Sequence, residues 1–385
     1  MTDPDGRQRL LFDELAAADC LAPQWRPSFL CVPRHLFIPD TVWVHDGGED
    51  LPLVALDRAA DPDRWLELAY ANDYVVTQVD DGHPGPDPRR WTATSSASMP
   101  LMVAEMLAAL EVHDGHRVLE IGTGTGWNAA LLAHRLGAEQ VTSIEIDPDV
   151  ATRARTALSD AGFGEVTVVT DDGTLGYPPE APYDRVIATA ACQHMPYPWV
   201  EQSRPGGLIL TPWANPYFDG GLVALTVGED GVACGGIVSR SWFMWLRQQR
   251  VPRDPVSDIV CAEQVRAELP RTWTDVHPHH VIGDYGAQLA ISLRVSQCRH
   301  LYSPFDDGEG SGVVWFLDPW SRSWASLTHI TPDAGDREFQ VQQCGPRRLW
   351  DEVDAAHRWW VDAGSPDADR WRFTLTPDGL RVELE

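Results

Sequence analysis

The stretch Val118-Leu-Glu-Ile-Gly122-Thr-Gly-Thr-Gly126 decides the fold. A short apolar strand ends here in alternating glycines, which let the main chain turn sharply and leave room for a ligand against the backbone. The spacing differs from the nicotinamide fingerprint Gly-x-Gly-x-x-Gly, because Trp127 stands where its third glycine should be. The stretch therefore predicts a ligand-binding turn of another kind at the carboxyl end of a buried strand.

Helix and strand patterns alternate around this turn. Helices are expected after Ser98-Met-Pro100, over 128–136 and after Asp147-Pro148, since proline suits the first turn of a helix and aspartate its cap. The strands are expected over 117–121, 141–146, 166–170, 185–189 and 208–211. Strands linked by crossover helices form a parallel sheet that binds ligands beyond the carboxyl ends of its strands. The predicted fold class is therefore α/β.

The alternating region occupies the middle of three predicted sections. Residues 1–90 form an N-terminal section with a helix, an insertion and a connector rich in proline and glycine, and residues 91–238 form the ligand-binding domain. Residues 239–385 form a C-terminal accessory domain of α+β character that is rich in tryptophan. In this last section we expect a strand over 312–317, an amphipathic helix over 349–360 and a hairpin over 373–382.

The composition excludes several functional classes. The 385 residues carry a formal net charge of −27, which would repel a phosphate backbone, so nucleic acid is not an expected partner. All 30 basic residues are arginine, which rules out a P-loop lysine and a Schiff-base lysine. We expect a cytoplasmic protein without a membrane span, because no apolar stretch is long enough and the N-terminus lacks the pattern of a secretory signal.

Two further features of the sequence contain residue types that can form sites. In His277-Pro-His279-His280 the proline disrupts the spacing that would aim the imidazoles together, and no acidic or cysteine partner stands at ligand spacing, so no metal site is expected. Cys192 could act as a covalent nucleophile, but its neighbours are small and apolar. That environment favours a packed thiol.

Two acidic residues at strand ends point to an adenosine-containing cofactor. Glu145 ends the second strand about twenty residues past the glycine turn, where a carboxylate conventionally accepts hydrogen bonds from ribose hydroxyls. Asp172 follows the third strand. The carboxyl ends of parallel strands meet at one edge of a sheet, so both acids should lie near the glycine turn.

Seven segments of the chain carry a resemblance to a known family. In order they are 32–39, 94–104, 118–126, Ser143-Ile-Glu145, Asp172-Gly173, Ala181-Pro-Tyr-Asp184 and Arg204-Pro-Gly-Gly207. Together they resemble the protein-L-isoaspartate O-methyltransferase family, over roughly the span from residue 30 to residue 215. The resemblance implies the Rossmann-like sheet of class I methyltransferases. After the fourth strand the chain lacks the Asn/Asp-Pro-Pro-aromatic motif of amino-methyltransferases, which disfavours nitrogen as the methyl acceptor.

The resemblance further implies that S-adenosylmethionine binds at the glycine turn and the strand ends. The cofactor-binding residues expected on this basis are Glu120, Gly122, Thr123, Gly124, Glu145, Ile146, Asp172, Gly173 and Thr189. Ser98 is the expected catalytic residue, with its hydroxyl holding one oxygen of the reacting carboxylate at a helix N-terminus. Its alternative role is a plain N-cap of that helix. A side-chain carboxylate is ionised at neutral pH, so the reaction needs no general base.

The expected substrate is an aspartyl or isoaspartyl side chain of a peptide or protein. The segment between Pro39 and Trp91 is long, and we expect the section after residue 240 to have no counterpart in the repair enzyme. In these two features the chain resembles an actinobacterial branch of the family that is associated with ribosomally made modified peptides. That resemblance implies methylation of an aspartate in a precursor peptide, leading to aspartimide or isoaspartate. General repair of isoaspartyl proteins, esterification of a small acid, and a non-catalytic cofactor-binding scaffold remain alternatives.

Overall fold

The computed structural model describes residues 3–18, 20–45, 52–250, 256–260, 269–305, 311–329 and 339–385. The chain forms two compact units. The first comprises Met1–Pro212, Leu222–Arg247 and Phe373–Arg381, and the second comprises Trp213–Gly221, Gln248–Arg372 and Val382–Glu385. The division into three sections at residues 90 and 238 stays a prediction. Among the described residues, no helix combines the length and apolar character needed to cross a bilayer.

The helices of the first unit mostly begin with proline in their first turn, where a missing N–H leaves no hydrogen bond unmade. They are Pro4–Ala17 (α1), Arg26–Cys31 (α2), Pro62–Tyr70 (α3), Pro100–Ala109 (α4), Trp127–Leu136 (α5), Pro148–Asp160 (α6) and Pro198–Glu201 (α7). Aspartate caps two of them, since Asp61 accepts from the Arg64 N–H and Asp147 from the Asp149 and Val150 N–H groups. The Asp147-Pro148 start is therefore confirmed.

A small antiparallel sheet precedes the glycine turn. Its strands are Thr41–His45 (β1), Leu53–Asp57 (β2), Val75–Val79 (β3) and Ala93–Ala97 (β4), in the order β2-β1-β3-β4. Leu53, Val76 and Val79 form its own apolar cluster, covered by Trp43 and Trp91. Strand β4 is thus an edge strand, and it leads directly to Ser98 and α4.

The glycine turn lies in the middle of a larger sheet with a parallel core. Its first strands are Val118–Ile121 (β5), Val141–Glu145 (β6), Thr167–Thr170 (β7), Tyr183–Ala188 (β8), Ser203–Trp213 (β9), Gly221–Val227 (β10) and Ala233–Arg240 (β11). They lie in the order β11-β10-β9-β8-β5-β6-β7. The β8-β5, β5-β6, β6-β7 and β8-β9 pairs are parallel. Each expected strand is found within a few residues, and the α/β class is confirmed.

The second unit is built on a five-stranded antiparallel sheet. Its strands are Thr272–Thr274 (β12), Arg299–Pro304 (β13), Gly312–Asp318 (β14), Ser323–His329 (β15) and Phe339–Cys344 (β16), in the order β12-β16-β15-β14-β13. Its helices are Val256–Ile259 (α8), Pro278–Ile282 (α9), Tyr285–Ser292 (α10) and Leu349–Asp362 (α11). The predicted strand at 312–317 and the amphipathic helix at 349–360 are both confirmed.

The C-terminal hairpin extends the large sheet. Its strands are Trp371–Thr376 (β17) and Gly379–Leu384 (β18), and β17 pairs antiparallel with β11 through Ala233↔Leu375 and Gly235↔Phe373. The hairpin itself was expected, but it was assigned to the accessory section. Residues Phe373–Arg381 instead belong to the first unit, because an edge strand satisfies its backbone groups by pairing with β11.

Arg34 ties the N-terminal section to the rest of the first unit. Only 1% of the residue is exposed, and its guanidinium lies 5.6 Å from the ring centroid of Trp127. Its two terminal nitrogens donate to the backbone carbonyls of Ala69, Ala71, Asp73, Ala97 and Ser98 at 2.9–3.4 Å. A single buried side chain thus holds the end of α3 and the segment after β4 together.

We expect Arg34→Met to lower the free energy of unfolding by about 3 kcal/mol or more, because it leaves several buried carbonyls without a donor. Denaturant unfolding followed by tryptophan fluorescence measures the change. The matched control is Arg153→Met, at an exposed position of α6, which should shift stability by less than about 0.5 kcal/mol. Equal stabilities for the two variants would show that Arg34 does not anchor the segment.

Candidate functional site

The predicted cofactor residues gather at one edge of the large sheet. The glycine turn follows β5, Glu145 ends β6, Asp172 follows β7 and Thr189 follows β8. Since β8, β5, β6 and β7 are adjacent and parallel, their carboxyl ends form a continuous rim in the first unit. This rim is where open α/β sheets bind their ligands.

The glycine turn needs its glycines for conformation and for space. Gly122, Gly124 and Gly126 have φ of +93°, +53° and +92°, a region that side chains rarely adopt. The Thr189 hydroxyl donates to the Gly122 carbonyl at 2.5 Å, and a Cβ on Gly122 would lie 2.8 Å from that hydroxyl oxygen. The Gly122 and Thr123 amides both donate to the Ile144 carbonyl. The turn is therefore clamped between the ends of β6 and β8.

A buried chain of hydrogen bonds lies beneath the turn. The Asn128 amide donates to Glu120 Oε1 at 2.6 Å, the Ser143 hydroxyl donates to Glu120 Oε2, and the Thr123 and Ser143 hydroxyl oxygens are 2.6 Å apart. Glu120 is fully buried, and burial raises its pKa to about 7 against the opposing hydrogen bonds from Ser143 and Asn128. Both of its oxygens are thus engaged inside the protein, and Glu120 supports the turn from below.

Glu145 is aimed by two backbone donors. Its Oε2 accepts from the Gly124 N–H at 2.9 Å and its Oε1 from the Asp147 N–H at 3.1 Å. Burial raises its pKa, and these two hydrogen bonds oppose the rise. Glu145 is 8% exposed and its neighbour Ile146 is half-buried, so both sit at the rim next to the glycine turn.

Asp172 caps the short 3-10 helix Gly173–Leu175. Its Oδ1 accepts from the Thr174 N–H and hydroxyl at 2.9 and 2.7 Å. The carboxylate is half-buried, and within the described chain its Oδ2 accepts no hydrogen bond. Gly173 packs so tightly against Ile121 that a Cβ there would lie 2.6 Å from the Ile121 side chain. Asp172 can therefore accept a hydrogen bond from a ligand at the β7 end of the rim.

Ser98 reaches the rim from the small sheet. The preceding strand β4 brings the Ser96 carbonyl within 3.6 Å of where a Cβ on Gly124 would stand, and Arg34 donates to the Ser98 carbonyl at 2.9 Å. Its alternative role as the N-cap of α4 is excluded, because α4 begins at Pro100 and its cap position is Met99. Ser98 is half-buried, and its hydroxyl has no partner in the described part of the chain.

The two weaker candidates from the sequence behave as packed or surface residues. Cys192 is fully buried beside Thr211, and burial raises the pKa of its thiol to about 12, which suits a packed thiol. His277 N-caps the helix Pro278–Ile282 through the His279 N–H. No group of three potential metal-binding side chains occurs among the residues that the structure describes.

Sequence reasoning missed the residues that surround Asp147. Its Oδ2 accepts from Gln78 at 3.1 Å and from Arg247 at 3.0 Å, while Oδ1 caps α6. Arg247 also contacts Asp81 at 3.1 Å. Only the Asp-Pro cap of α6 had a local signal, because the partners Gln78 and Arg247 are far away in the sequence.

We expect Glu145→Gln and Asp172→Asn each to weaken binding of S-adenosylhomocysteine, the product form of the implied cofactor, by about tenfold, since each loses a charged hydrogen-bond acceptor. Isothermal titration calorimetry measures the dissociation constants. Asp160→Asn, at the exposed end of α6, is the matched control and should bind as the wild type does. Unchanged affinity in both rim variants would remove these acids from the cofactor site.

Comparisons with known proteins point to one family. The family model "Protein-L-isoaspartate(D-aspartate) O-methyltransferase (PCMT)" matches residues 76–219. A protein-L-isoaspartate O-methyltransferase of Methanoculleus marisnigri is 38% identical over 181 residues, which are 47% of this chain and 64% of that protein. The chain thus spans slightly less than two thirds of this relative. Protein-L-isoaspartate O-methyltransferase 2 of Archaeoglobus fulgidus is 35% identical over 212 residues, which are 54% of this chain and 80% of that protein.

A solved structure named protein-L-isoaspartate O-methyltransferase shares the fold, with a TM-score of 0.52 and 18% identity over 98% of this chain and 99% of that one. The structural match extends over the section after residue 240, so that section has a counterpart in this solved structure. The match to the A. fulgidus protein extends over most of that relative. The chain belongs to the protein-L-isoaspartate O-methyltransferase family.

Proposed function

We propose that this protein transfers the methyl group of S-adenosylmethionine to the side-chain carboxylate of isoaspartyl residues in proteins or peptides. The observation that carries the proposal is the rim itself. There Glu145 and Asp172 stand at neighbouring strand ends, and the glycine turn lies beside the segment that leads to Ser98. The Ser98 hydroxyl is unpaired in the described chain. Family membership supports the same activity.

The residues of the rim fit S-adenosylmethionine, the cofactor of this family. The glycines of the turn have positive φ and no side chains, so the main chain itself faces the ligand. This leaves room for the extended amino-acid part of the cofactor. Glu145 would accept hydrogen bonds from the ribose hydroxyls and Asp172 from the adenine amino group. When bound, the cofactor supplies an electrophilic methyl group, whose bond to sulfur breaks as its bond to the acceptor oxygen forms, giving a methyl ester and S-adenosylhomocysteine.

The protein's own task is to position and dehydrate the acceptor. The acceptor carboxylate has a pKa near 4, so it is ionised at neutral pH and needs no general base. The Ser98 hydroxyl would hold one carboxylate oxygen and leave the other free to react. Arg34 fixes the Ser98 backbone through its carbonyl, so the hydroxyl starts from a defined position.

The charge of the protein supports a peptide or protein substrate. A net charge of −27 repels nucleic acid and favours segments with basic residues around the reacting carboxylate. The acceptor carboxylate must enter a rim that already carries carboxylates. The Ser98 hydroxyl can donate a hydrogen bond to it there without adding a charge.

A second candidate is methylation of an aspartate in a ribosomally made precursor peptide, with later closure to aspartimide or isoaspartate. The observation that favours it is a pair of exposed aromatic side chains in the second unit, most of which follows the residues that the family model matches. That unit exposes Trp273 and Trp320 by 61% and 55%. Exposed aromatic side chains are frequent hot spots in peptide recognition.

Two synthetic peptides that differ only in one residue test the activity. With S-adenosylmethionine, we expect base-labile methyl esters on the isoaspartyl peptide and none on its aspartyl twin. Esterification of a precursor-type aspartyl peptide, with no reaction at isoaspartate, would favour the second candidate. Cofactor binding without esterification of any carboxylate would identify a scaffold and contradict the proposal.

Ser98→Ala tests the acceptor site. We expect kcat for the isoaspartyl peptide to fall by about tenfold to a hundredfold, because the acceptor loses a donor that fixes its orientation. The affinity for S-adenosylhomocysteine should stay unchanged. Ser159→Ala, at the exposed end of α6, serves as the control and should keep the wild-type rate. Full activity in Ser98→Ala would exclude Ser98 from the reaction.

A further inference from the structure

After strand β11 the chain returns to the rim. The Met244 carbonyl accepts from the Ala191 N–H at 2.7 Å, and the Leu246 N–H donates to the Ala191 carbonyl at 2.8 Å. Trp245 and Ala191 therefore form a parallel bridge just beyond the end of β8. Residues 244–247 are called the crossing segment below.

The crossing segment is attached at a second strand end. The Arg247 side chain reaches Asp147, two residues past the end of β6, with 3.0 Å between Nη2 and Oδ2. In the sheet, β5 lies between β8 and β6. The crossing segment is therefore attached at the ends of the two strands that flank β5, the strand from which the glycine turn begins. This part of the chain lies outside the residues that the family model matches.

Arg247 is the positively charged partner of two carboxylates, Asp147 and Asp81. The same nitrogen, Nη2, contacts Asp147 at 3.0 Å and Asp81 at 3.1 Å. The Asp147 side chain is 7% exposed, so its negative charge is poorly solvated and depends on its partners. Burial raises its pKa, but hydrogen bonds from Gln78, Val150 and Arg247 lower it to about 2. The Asp147 N–H in turn donates to Glu145.

We propose that Arg247 is a positioning residue for S-adenosylmethionine: it ties the crossing segment to the end of β6 and, through Asp147, fixes the backbone that aims Glu145. This inference rests on the proposed function, because it assigns Glu145 to the cofactor. Arg247 acts through Asp147, and no contact with substrate is required of it. Two further acids contact the Arg247–Asp147 pair, since Asp81 contacts Arg247 and Glu145 accepts from the Asp147 N–H.

The test compares Arg247→Met, Arg247→Lys and the control Arg153→Met in the full chain. Titration with S-adenosylhomocysteine should show about tenfold weaker binding for Arg247→Met, because a charged hydrogen bond is lost. Since one nitrogen contacts both acids, an ammonium can replace it, and Arg247→Lys should recover affinity to within about threefold. Arg153→Met should bind as the wild type does.

Kinetics separate positioning from general damage. In Arg247→Met the KM for S-adenosylmethionine should rise, while kcat at saturating cofactor and the KM for the isoaspartyl peptide stay near wild type. If that variant unfolds, Asp81→Asn, which removes only the more exposed partner, should still raise the dissociation constant measurably.

Wild-type affinity for S-adenosylhomocysteine in both Arg247→Met and Asp81→Asn would overturn the inference. Failure of Arg247→Lys to recover binding would also overturn it, since positioning by charge predicts recovery. These outcomes differ from failure of the proposed function, which would appear as a wild-type protein that esterifies no isoaspartyl peptide.

Discussion

The hydrogen bond from the Gly124 amide to the Glu145 carboxylate joins the two strand ends on which the site depends. A buried carboxylate needs strong donors, and here the backbone of the glycine turn supplies one and the Asp147 N–H the other. The acid and the turn therefore orient each other. If the turn adopted another path, Glu145 would lose a donor while remaining almost fully buried.

The other contacts of the site hold that arrangement in place. Thr189 clamps Gly122 from the side of β8, and the buried chain through Ser143 and Glu120 supports Thr123 from below. Arg34 likewise holds the segment that carries Ser98, by donating to the Ser98 carbonyl. Such rigidity suits the proposed reaction, in which the acceptor is already ionised and catalysis would consist mainly of holding two partners in the right geometry.

The same rim concentrates negative charge in a protein whose net charge is already −27. Carboxylates suit an adenosine ligand with a positive sulfonium, but they repel one another when they are close and poorly solvated. The structure relieves this repulsion locally. The N-terminus of α6 and Gln78 stabilise Asp147, and Arg247 places one positive charge between Asp147 and Asp81.

Local patterns in the sequence by themselves determined the parallel sheet, the glycine turn and the strand-end position of Glu145, because each is encoded within a few neighbouring residues. The helix that starts at Pro100 was also predicted, although Met99 and not Ser98 occupies its cap position. Only the tertiary structure decided the pairing of Arg247 with Asp147, 100 residues away, and the union of the C-terminal hairpin with β11. Such contacts form between distant segments that only the folded chain brings together, so no local periodicity or spacing records them.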